Sequence, residues 1–282
     1  MSADTAASSL LHSPLHGHSG QLGPIGVFDS GLGGLTVLAA LQKHLPGEHF
    51  LYFADTRFLP YGDRSEEFLR ERGLVIAQHL QRLGCKALVI ACNTATAHAA
   101  EAIRAHCSLP VVALEPAVKP AAALSKNGVI GVLATTRTIQ SPRFEKLVQG
   151  YAKHVQVIPQ SCPDLADAIE SDGPESERVN VLLDRYIEPL VSAGVDVVVL
   201  GCTHYPWVKS GISRRFPQEV RIVDTGEAVA RQLERLLIQS ALQTNINSLG
   251  VLRIATSGDA EAIEHAIRRL TGKSVSVEEW SF

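Results

Sequence analysis

Short runs of β-branched and aliphatic residues alternate with longer amphipathic stretches from position 24 onward. This alternation is typical of βαβ units, in which parallel strands form a sheet that helices cover on both faces. Strands are predicted at 25–28, 49–54, 87–91, 111–114, 129–133, 155–158, 195–201, 221–223 and 251–255, and helices most clearly at 66–83, 181–193 and 227–242. The chain is therefore predicted to be an α/β protein with doubly wound parallel sheets.

The two halves of the chain resemble each other in the order of their motifs. Segment 25–30 resembles 130–135, segment 87–94 resembles 197–204, and segment 115–118 resembles 226–229 at nearly the same offset. Any two α/β units share some likeness, but three matches in one order favour duplication. Duplication predicts two similar lobes related by pseudo-two-fold symmetry. Because open parallel sheets bind ligands at the carboxyl ends of their strands, the site is expected in the cleft between the lobes.

The domain organisation follows from this repeat. The 282 residues are enough for two lobes. A flexible N-terminal tail is predicted at 1–23, where no Lys or Arg occurs. The first lobe is predicted to comprise 24–118 together with 226–282, and the second lobe 119–225.

Charge and composition exclude several classes of partner. Lys and Arg total 26 against 29 Asp and Glu, and no basic run stands out, so no nucleic-acid partner is predicted. No apolar run approaches the roughly 18–20 residues that cross a bilayer, so no membrane association is predicted. The five cysteines show no C-x-x-C spacing, and the N-terminus lacks the features of a secretory signal. Reduced thiols in a cytoplasmic protein are expected.

Two cysteines are candidates for chemistry. Cys92 and Cys202 each end an apolar strand inside a repeated motif. Each is predicted to lie at a strand-to-helix turn, where the positive end of the helix dipole lowers the pKa of a thiol from about 8.5. Cys85, Cys107 and Cys162 are interpreted as small buried hydrophobic residues.

Polar residues around these cysteines suggest an anionic small molecule. The glycine-rich segment 29–34 lacks both the Lys of a phosphate-binding loop and the spacing of a dinucleotide site, so a small carboxylate fits it better. Asp29 is either a helix cap or a proton carrier. His204 can exchange a proton with Cys202. Cys92, Cys202 and His204 are too few ligands for zinc, so no metal site is predicted.

Four ordered motifs at 27–36, 60–62, 91–96 and 201–206 resemble the glutamate racemases of the cofactor-independent Asp/Glu racemase family. The resemblance covers the chain from about position 24 to its C-terminus. It implies interconversion of L- and D-glutamate without a cofactor, which supplies D-glutamate for peptidoglycan, and it implies a homodimer. The long N-terminal segment and Trp207, where an aliphatic residue is more usual, depart from the family pattern.

The resemblance also implies residue roles. These are Cys92 and Cys202 as the acid/base pair, Asp29 assisting Cys92, His204 assisting Cys202, and Glu170 as the acidic residue on the Cys202 side. Asp167 is the rival candidate for the place of Glu170. The implied substrate contacts are Asp29, Ser30, Tyr61, Gly62, Asn93, Thr94, Thr135, Thr138, Thr203 and His204.

Three alternatives remain open at this level. The first is a racemase for aspartate or another acidic amino acid on a similar two-thiol fold. The second is a cysteine hydrolase that uses a single thiol with His204 as its base. The third is a binding protein without turnover. Only a two-base racemase needs both Cys92 and Cys202 for its reaction.

Overall fold

The structure is a computed structural model that describes residues 21–244 and 248–282. Two parallel sheets form two lobes, and helices pack on their faces. Most of the predicted N-terminal tail, positions 1–20, lies outside the described residues. None of the helices in the described part of the chain combines the length and the hydropathy needed to cross a bilayer.

The strands and helices alternate along the chain. In the described residues the strands are β1 Ile25–Asp29, β2 Phe50–Ala54, β3 Ala87–Ile90, β4 Val111–Ala113, β5 Val129–Ala134, β6 Gln156–Ser161, β7 Val197–Gly201, β8 Arg221–Val223, β9 Leu252–Thr256 and β10 Val277–Glu279. The α-helices there are α1 Leu35–His44, α2 Glu66–Arg82, α3 Asn93–His106, α4 Val118–Leu124, α5 Thr136–Ile139, α6 Pro142–Tyr151, α7 Leu165–Asp172, α8 Glu177–Ser192, α9 Lys209–Ser213, α10 Gly226–Gln239 and α11 Ala260–Thr271. Short 3-10 helices follow β2 and β7, at Thr56–Phe58, Tyr61–Asp63 and Tyr205–Val208.

The strand order repeats between the two sheets. The first sheet has the order β10-β9-β2-β1-β3-β4, and the second has the order β6-β5-β7-β8. Strands β2-β1-β3-β4 therefore correspond to β6-β5-β7-β8, which pairs β1 with β5 and β3 with β7, as the repeated motifs predict. The prediction of two similar parallel-sheet lobes is confirmed.

All nine predicted strands are present, with ends that differ by a few residues at most. Strand β10 was missed because it has only three residues, two of them Glu, and pairs with β9 at the sheet edge. Strands β5 to β8 lie between 129 and 223, inside the predicted second lobe. The lobe boundaries stay a prediction.

Both faces of the first sheet are buried. Alternate residues of β1 pack into different clusters: Ile25 and Val27 contact one face cluster, and Phe28 contacts the other. This explains why the strand sequences read as nearly continuous hydrophobic runs. A sheet covered on both faces leaves only its strand ends for polar chemistry.

A buried ion pair lies at the end of the first sheet where its strands begin. The Lys86 Nζ atom lies 2.6 Å from Glu48 Oε2, and their side chains are only 1% and 3% exposed. Burial lowers the pKa of Lys86 although the bond to Glu48 opposes that shift. The ammonium also donates to the main-chain oxygen of Gln21 and to Thr244 Oγ1. Gln21, inside the predicted tail, is thus held against the sheet.

Replacing Glu48 by alanine is expected to lower the free energy of unfolding by about 3–5 kcal/mol, because it leaves the Lys86 ammonium buried without a counter-charge. Urea denaturation measures this loss. A matched control is Glu67→Ala, which removes an exposed carboxylate 4.0 Å from Arg70 and is expected to change stability by less than about 1 kcal/mol. Equal losses in the two variants would contradict the prediction.

Candidate functional site

A cavity of about 520 Å³ lies where strand ends of both sheets meet. The predicted site residues that line it are Ser30, Tyr61, Gly62, Cys92, Asn93, Thr94, Thr135, Glu170, Cys202, Thr203 and His204. Two others, Asp29 and Thr138, are buried and contact lining residues. Within 21–244 and 248–282, no cluster of three or more His, Cys, Asp and Glu side chains is arranged to hold a metal ion.

Cys92 lies at the N-terminus of α3, as predicted. Its Sγ atom accepts a hydrogen bond from the N–H of Ala95 at 3.4 Å and lies 3.7 Å from Ser30 Oγ. Burial, and after it the charge of Asp29, nevertheless raises the pKa of the Cys92 thiol. The predicted lowering of this pKa is wrong, since desolvation of a fully buried thiolate outweighs the favourable helix terminus.

Cys202 lies at the end of β7 in the equivalent place on the second sheet. The predicted strand-to-helix turn is only partly right here, because a turn and the 3-10 helix Tyr205–Val208 follow in place of a regular α-helix. The partner of the Cys202 Sγ is His204, whose Nδ1 lies 3.7 Å away. The imidazole of His204 therefore lies beside this sulfur where a helix N-terminus lies beside Cys92.

The side chain of Glu170 holds His204 from the other side. His204 Nε2 lies 2.6 Å from Glu170 Oε2. Burial opposes the charged imidazole, but the hydrogen bonds to Cys202 and Glu170 raise the pKa of His204 well above its ordinary value. Asp167, the rival candidate, also lines the cavity but forms an ion pair with Arg178 at 3.2 Å. The contacts favour Glu170 as the partner of His204.

Asp29 is completely buried beside the cavity. Its carboxylate accepts hydrogen bonds from the N–H groups of Ser30 at 2.7 Å and Gly34 at 2.5 Å, and from Thr203 Oγ1 at 3.4 Å. Burial raises the pKa of Asp29 to about 6, although the positive charge of His204 opposes the shift. The carboxylate therefore anchors the glycine-rich loop and can change its protonation near neutral pH.

Three N–H groups of the glycine-rich loop donate hydrogen bonds to carboxylates of the protein itself. Ser30 and Gly34 donate to Asp29, and Leu32 donates to Glu170 Oε2 at 2.8 Å across the two lobes. These three N–H groups therefore bind carboxylates of the protein, and substrate binding by the rest of the loop stays a prediction. Gly31 and Gly33 are needed for another reason: a Cβ atom there would clash with Glu170 and with His204.

A line of threonine hydroxyls also joins the two lobes. Thr94 Oγ1 lies 3.0 Å from Thr135 Oγ1, which lies 2.9 Å from Thr138 Oγ1. Thr135 faces the cavity, whereas Thr138 is buried behind it and lines a separate small recess. Thr138 thus orients Thr135, and a direct substrate contact by Thr138 has no support from this geometry.

Several lining residues were not predicted. Cys162, interpreted as a buried hydrophobic residue, follows β6 and lines the cavity, and burial raises the pKa of its thiol. Cys162 follows a predicted strand, as Cys92 and Cys202 do, and this position could have identified it as a lining residue. Arg269 on α11 also lines the cavity and donates to the main-chain oxygen of Glu170 at 2.5 Å. No motif surrounds Arg269, so sequence offered no signal for it.

Trp207, the departure from the family pattern, lies between the lobes. It packs against the buried clusters of both lobes. Its ring meets the ring of His204 edge-on, with centroids 5.9 Å apart. The Trp207 side chain therefore fills the space between the two lobes beside His204.

The chain is similar in sequence to known proteins. The chain matches the family described as Asp/Glu/Hydantoin racemase over residues 35–233. It is 46% identical over 255 residues to a glutamate racemase from Ectopseudomonas mendocina, an alignment that covers 90% of this chain and 97% of that protein. A glutamate racemase from Pseudomonas aeruginosa is 46% identical over 254 residues, covering 90% and 96% of the two chains.

Solved structures of glutamate racemases share the fold. An isoform from Bacillus anthracis has a TM-score of 0.84 at 32% identity, covering 93% of this chain and 98% of that one. A glutamate racemase from Francisella tularensis, solved in complex with D-glutamate, has a TM-score of 0.81 at 26% identity and covers the same shares.

Proposed function

The chain belongs to the Asp/Glu/Hydantoin racemase family, and we propose on that premise that it interconverts L- and D-glutamate by two-base proton transfer at the α-carbon. The proposed product, D-glutamate, serves peptidoglycan synthesis. The observation that carries the proposal is the position of Cys92 and Cys202, at the ends of corresponding strands of the two sheets and lining one cavity.

Racemisation removes a proton from one face of the α-carbon and returns a proton to the other face, so it needs two proton carriers. Two sulfurs that enter the cavity from different lobes supply them. A hydrolase would need only one thiol beside a base. The pairing of Cys92 in the first lobe with Cys202 in the second therefore supports the racemase over the hydrolase.

The surroundings of the two sulfurs suggest how each one exchanges a proton. The raised pKa of Cys92 favours the thiol, which can donate a proton to the substrate. His204 Nδ1 lies 3.7 Å from the Cys202 sulfur and can take the proton of this thiol, which leaves the sulfur able to accept the α-proton. Glu170 orients His204 and stabilises its charged form. The roles reverse for the other enantiomer, when Asp29 takes the proton of Cys92 and His204 returns a proton to Cys202.

Stabilising the α-carbanion is the harder task, because a thiolate is a weak base for this proton. No cofactor is required in the proposal, so hydrogen bonds to the substrate carboxylates and exclusion of water have to stabilise the charge. The polar groups that line the cavity near the sulfurs are Ser30, Asn93, Thr94, Thr135 and Thr203. We assign substrate binding to these groups, together with Tyr61 and Gly62, which also line the cavity.

The direct test is circular dichroism of purified protein with L- and with D-glutamate in heavy water. We expect both enantiomers to reach the same racemic mixture, with one deuteron taken up at the α-carbon per inversion. Aspartate, assayed in parallel, is expected to turn over more slowly by at least about tenfold, the factor that 1.4 kcal/mol produces. Faster turnover of aspartate would support the alternative substrate, and turnover of neither acid would sink the proposal.

Three further expectations stay predictions. The first is the lobe boundaries, with 24–118 and 226–282 in one lobe and 119–225 in the other. The second is the homodimer, and the third is the cytoplasmic location. Light scattering coupled to size exclusion measures the mass in solution, and a dimer is expected at twice the chain mass. Limited proteolysis is expected to cut near the two crossovers between the lobes.

A further inference from the structure

A buried carboxylate lies behind the cavity wall that follows β2. Asp55 is 0% exposed, and its side chain accepts a hydrogen bond from the Tyr61 hydroxyl at 2.6 Å. Tyr61 belongs to the short segment Leu59, Pro60, Tyr61, Gly62 and Asp63, all of which line the cavity. The phenol oxygen is therefore committed to the protein, and what Tyr61 can offer a substrate is its ring and main chain.

Arg72 on α2 binds the same carboxylate through two nitrogens. Its Nε atom donates to Asp55 Oδ2 at 2.9 Å and its Nη2 atom donates to Asp55 Oδ1 at 2.7 Å. The Arg72 side chain is only 8% exposed. A planar guanidinium matched to a carboxylate in this way fixes direction as well as distance, which a lysine cannot do.

The third nitrogen of Arg72 reaches the last residue of the chain. Nη1 donates to the main-chain oxygen of Phe282 at 3.0 Å. The guanidinium also lies over the rings of Phe58 and Phe282, with centroid distances of 4.5 and 4.9 Å. The Phe282 ring in turn stacks on His79 of α2 at 3.9 Å. The segment after β10 is thereby joined to the cavity wall.

We propose that Asp55, Arg72 and Phe282 form a clamp that positions Tyr61, and with it the wall at 59–63, for binding the substrate. The inference rests on the proposed racemase function and goes beyond it, because none of the three residues lines the cavity. They are positioning residues that act through Tyr61. The segment 59–63 needs such support, since the turn at Tyr61–Asp63 is only three residues long and makes few main-chain hydrogen bonds.

A positioning role has a kinetic signature that a loss of folded protein does not share. A displaced wall weakens substrate binding and raises KM while kcat stays nearly constant. A partly unfolded preparation lowers the apparent kcat and leaves KM unchanged. The experiment therefore measures both constants for Tyr61→Phe, Arg72→Lys and the double variant.

We expect each single variant to raise KM for glutamate about tenfold and to change kcat by less than about threefold. The double variant is expected to raise KM no more than the larger single effect, since both substitutions break one connected network. Phe282→Leu, which keeps the main-chain oxygen but removes the ring over Arg72, is expected to raise KM about threefold. The matched control is Arg215→Lys, whose arginine pairs with Asp184 away from the cavity and is expected to keep KM.

Hydrogen exchange gives a readout that does not depend on turnover. Amides of 58–63 are expected to exchange faster in Arg72→Lys than in the parent protein without substrate. The clamp is overturned if the KM effects multiply to about a hundredfold, if KM stays unchanged, or if exchange at 58–63 is unaltered. Absence of glutamate turnover in the parent protein would instead refute the proposed function and leave the exchange result to judge the clamp.

Discussion

Serine in place of either cavity cysteine, Cys92→Ser or Cys202→Ser, is expected to slow glutamate racemisation by about 10³-fold or more. A positioned acid or base contributes about 10²–10⁴-fold to such a step, and serine is too weak an acid and too weak a base to replace a thiol. Circular dichroism measures the inversion. Because the remaining thiol still reaches one face of the α-carbon, each variant is expected to exchange deuterium faster into one enantiomer than into the other.

The enantiomer preferred for exchange should differ between the two variants, since the sulfurs come from different lobes. The control is Cys107→Ser, whose partly exposed sulfur contacts Gln81 and does not line the cavity. It is expected to keep the parent rate within about twofold, as surface substitutions usually do. If only one of the two cavity cysteines proved necessary, a one-thiol reaction would replace the two-base scheme.

Asp29→Asn is expected to lower kcat about 10²-fold and to remove the acidic limb of the pH profile. The pKa of Asp29 is raised to about 6 mainly by burial, so in the parent protein kcat/KM should rise with pH through about 6 as the carboxylate forms. Asparagine cannot take a proton from Cys92. A profile of kcat/KM from pH 5 to 8 tests this.

The raised pKa of Asp29 also makes the stability of the folded protein depend on pH. Because the pKa of Asp29 is higher in the folded than in the unfolded chain, its contribution to stability is greatest at low pH and is lost as the pH rises through about 6. Relative to Asp29→Asn, the parent should therefore lose stability between about pH 4 and 6. The control is Asp184→Asn, which changes an exposed carboxylate on α8. If the acidic limb of kcat/KM near pH 6 were unchanged in Asp29→Asn, a group other than Asp29 would be responsible for it.

The candidate site was predicted well where its residues follow strands. Cys92 and Cys202 end strands that repeat in sequence, and the repeat located them before any contact was known. Arg72 was not predicted, because it is one arginine among several on an amphipathic helix and its partner Asp55 lies 17 residues away. Arg269 was missed for the same reason, since its bond to Glu170 spans 99 residues.

The hydropathy pattern and the strand-end motifs were sufficient for the fold class, the repeated lobes and the two cysteines that line the cavity, because these depend on residues close together in the chain. Only tertiary packing sets the pKa of buried groups such as Cys92 and the hydrogen-bond partners of the N–H groups in the glycine-rich loop. Leu32 donates a hydrogen bond to Glu170, which lies 138 residues away in the chain. The pKa of Cys92 is raised because the folded lobes bury its thiol. Desolvation and contacts between lobes arise from the assembled structure, so no local pattern encodes them.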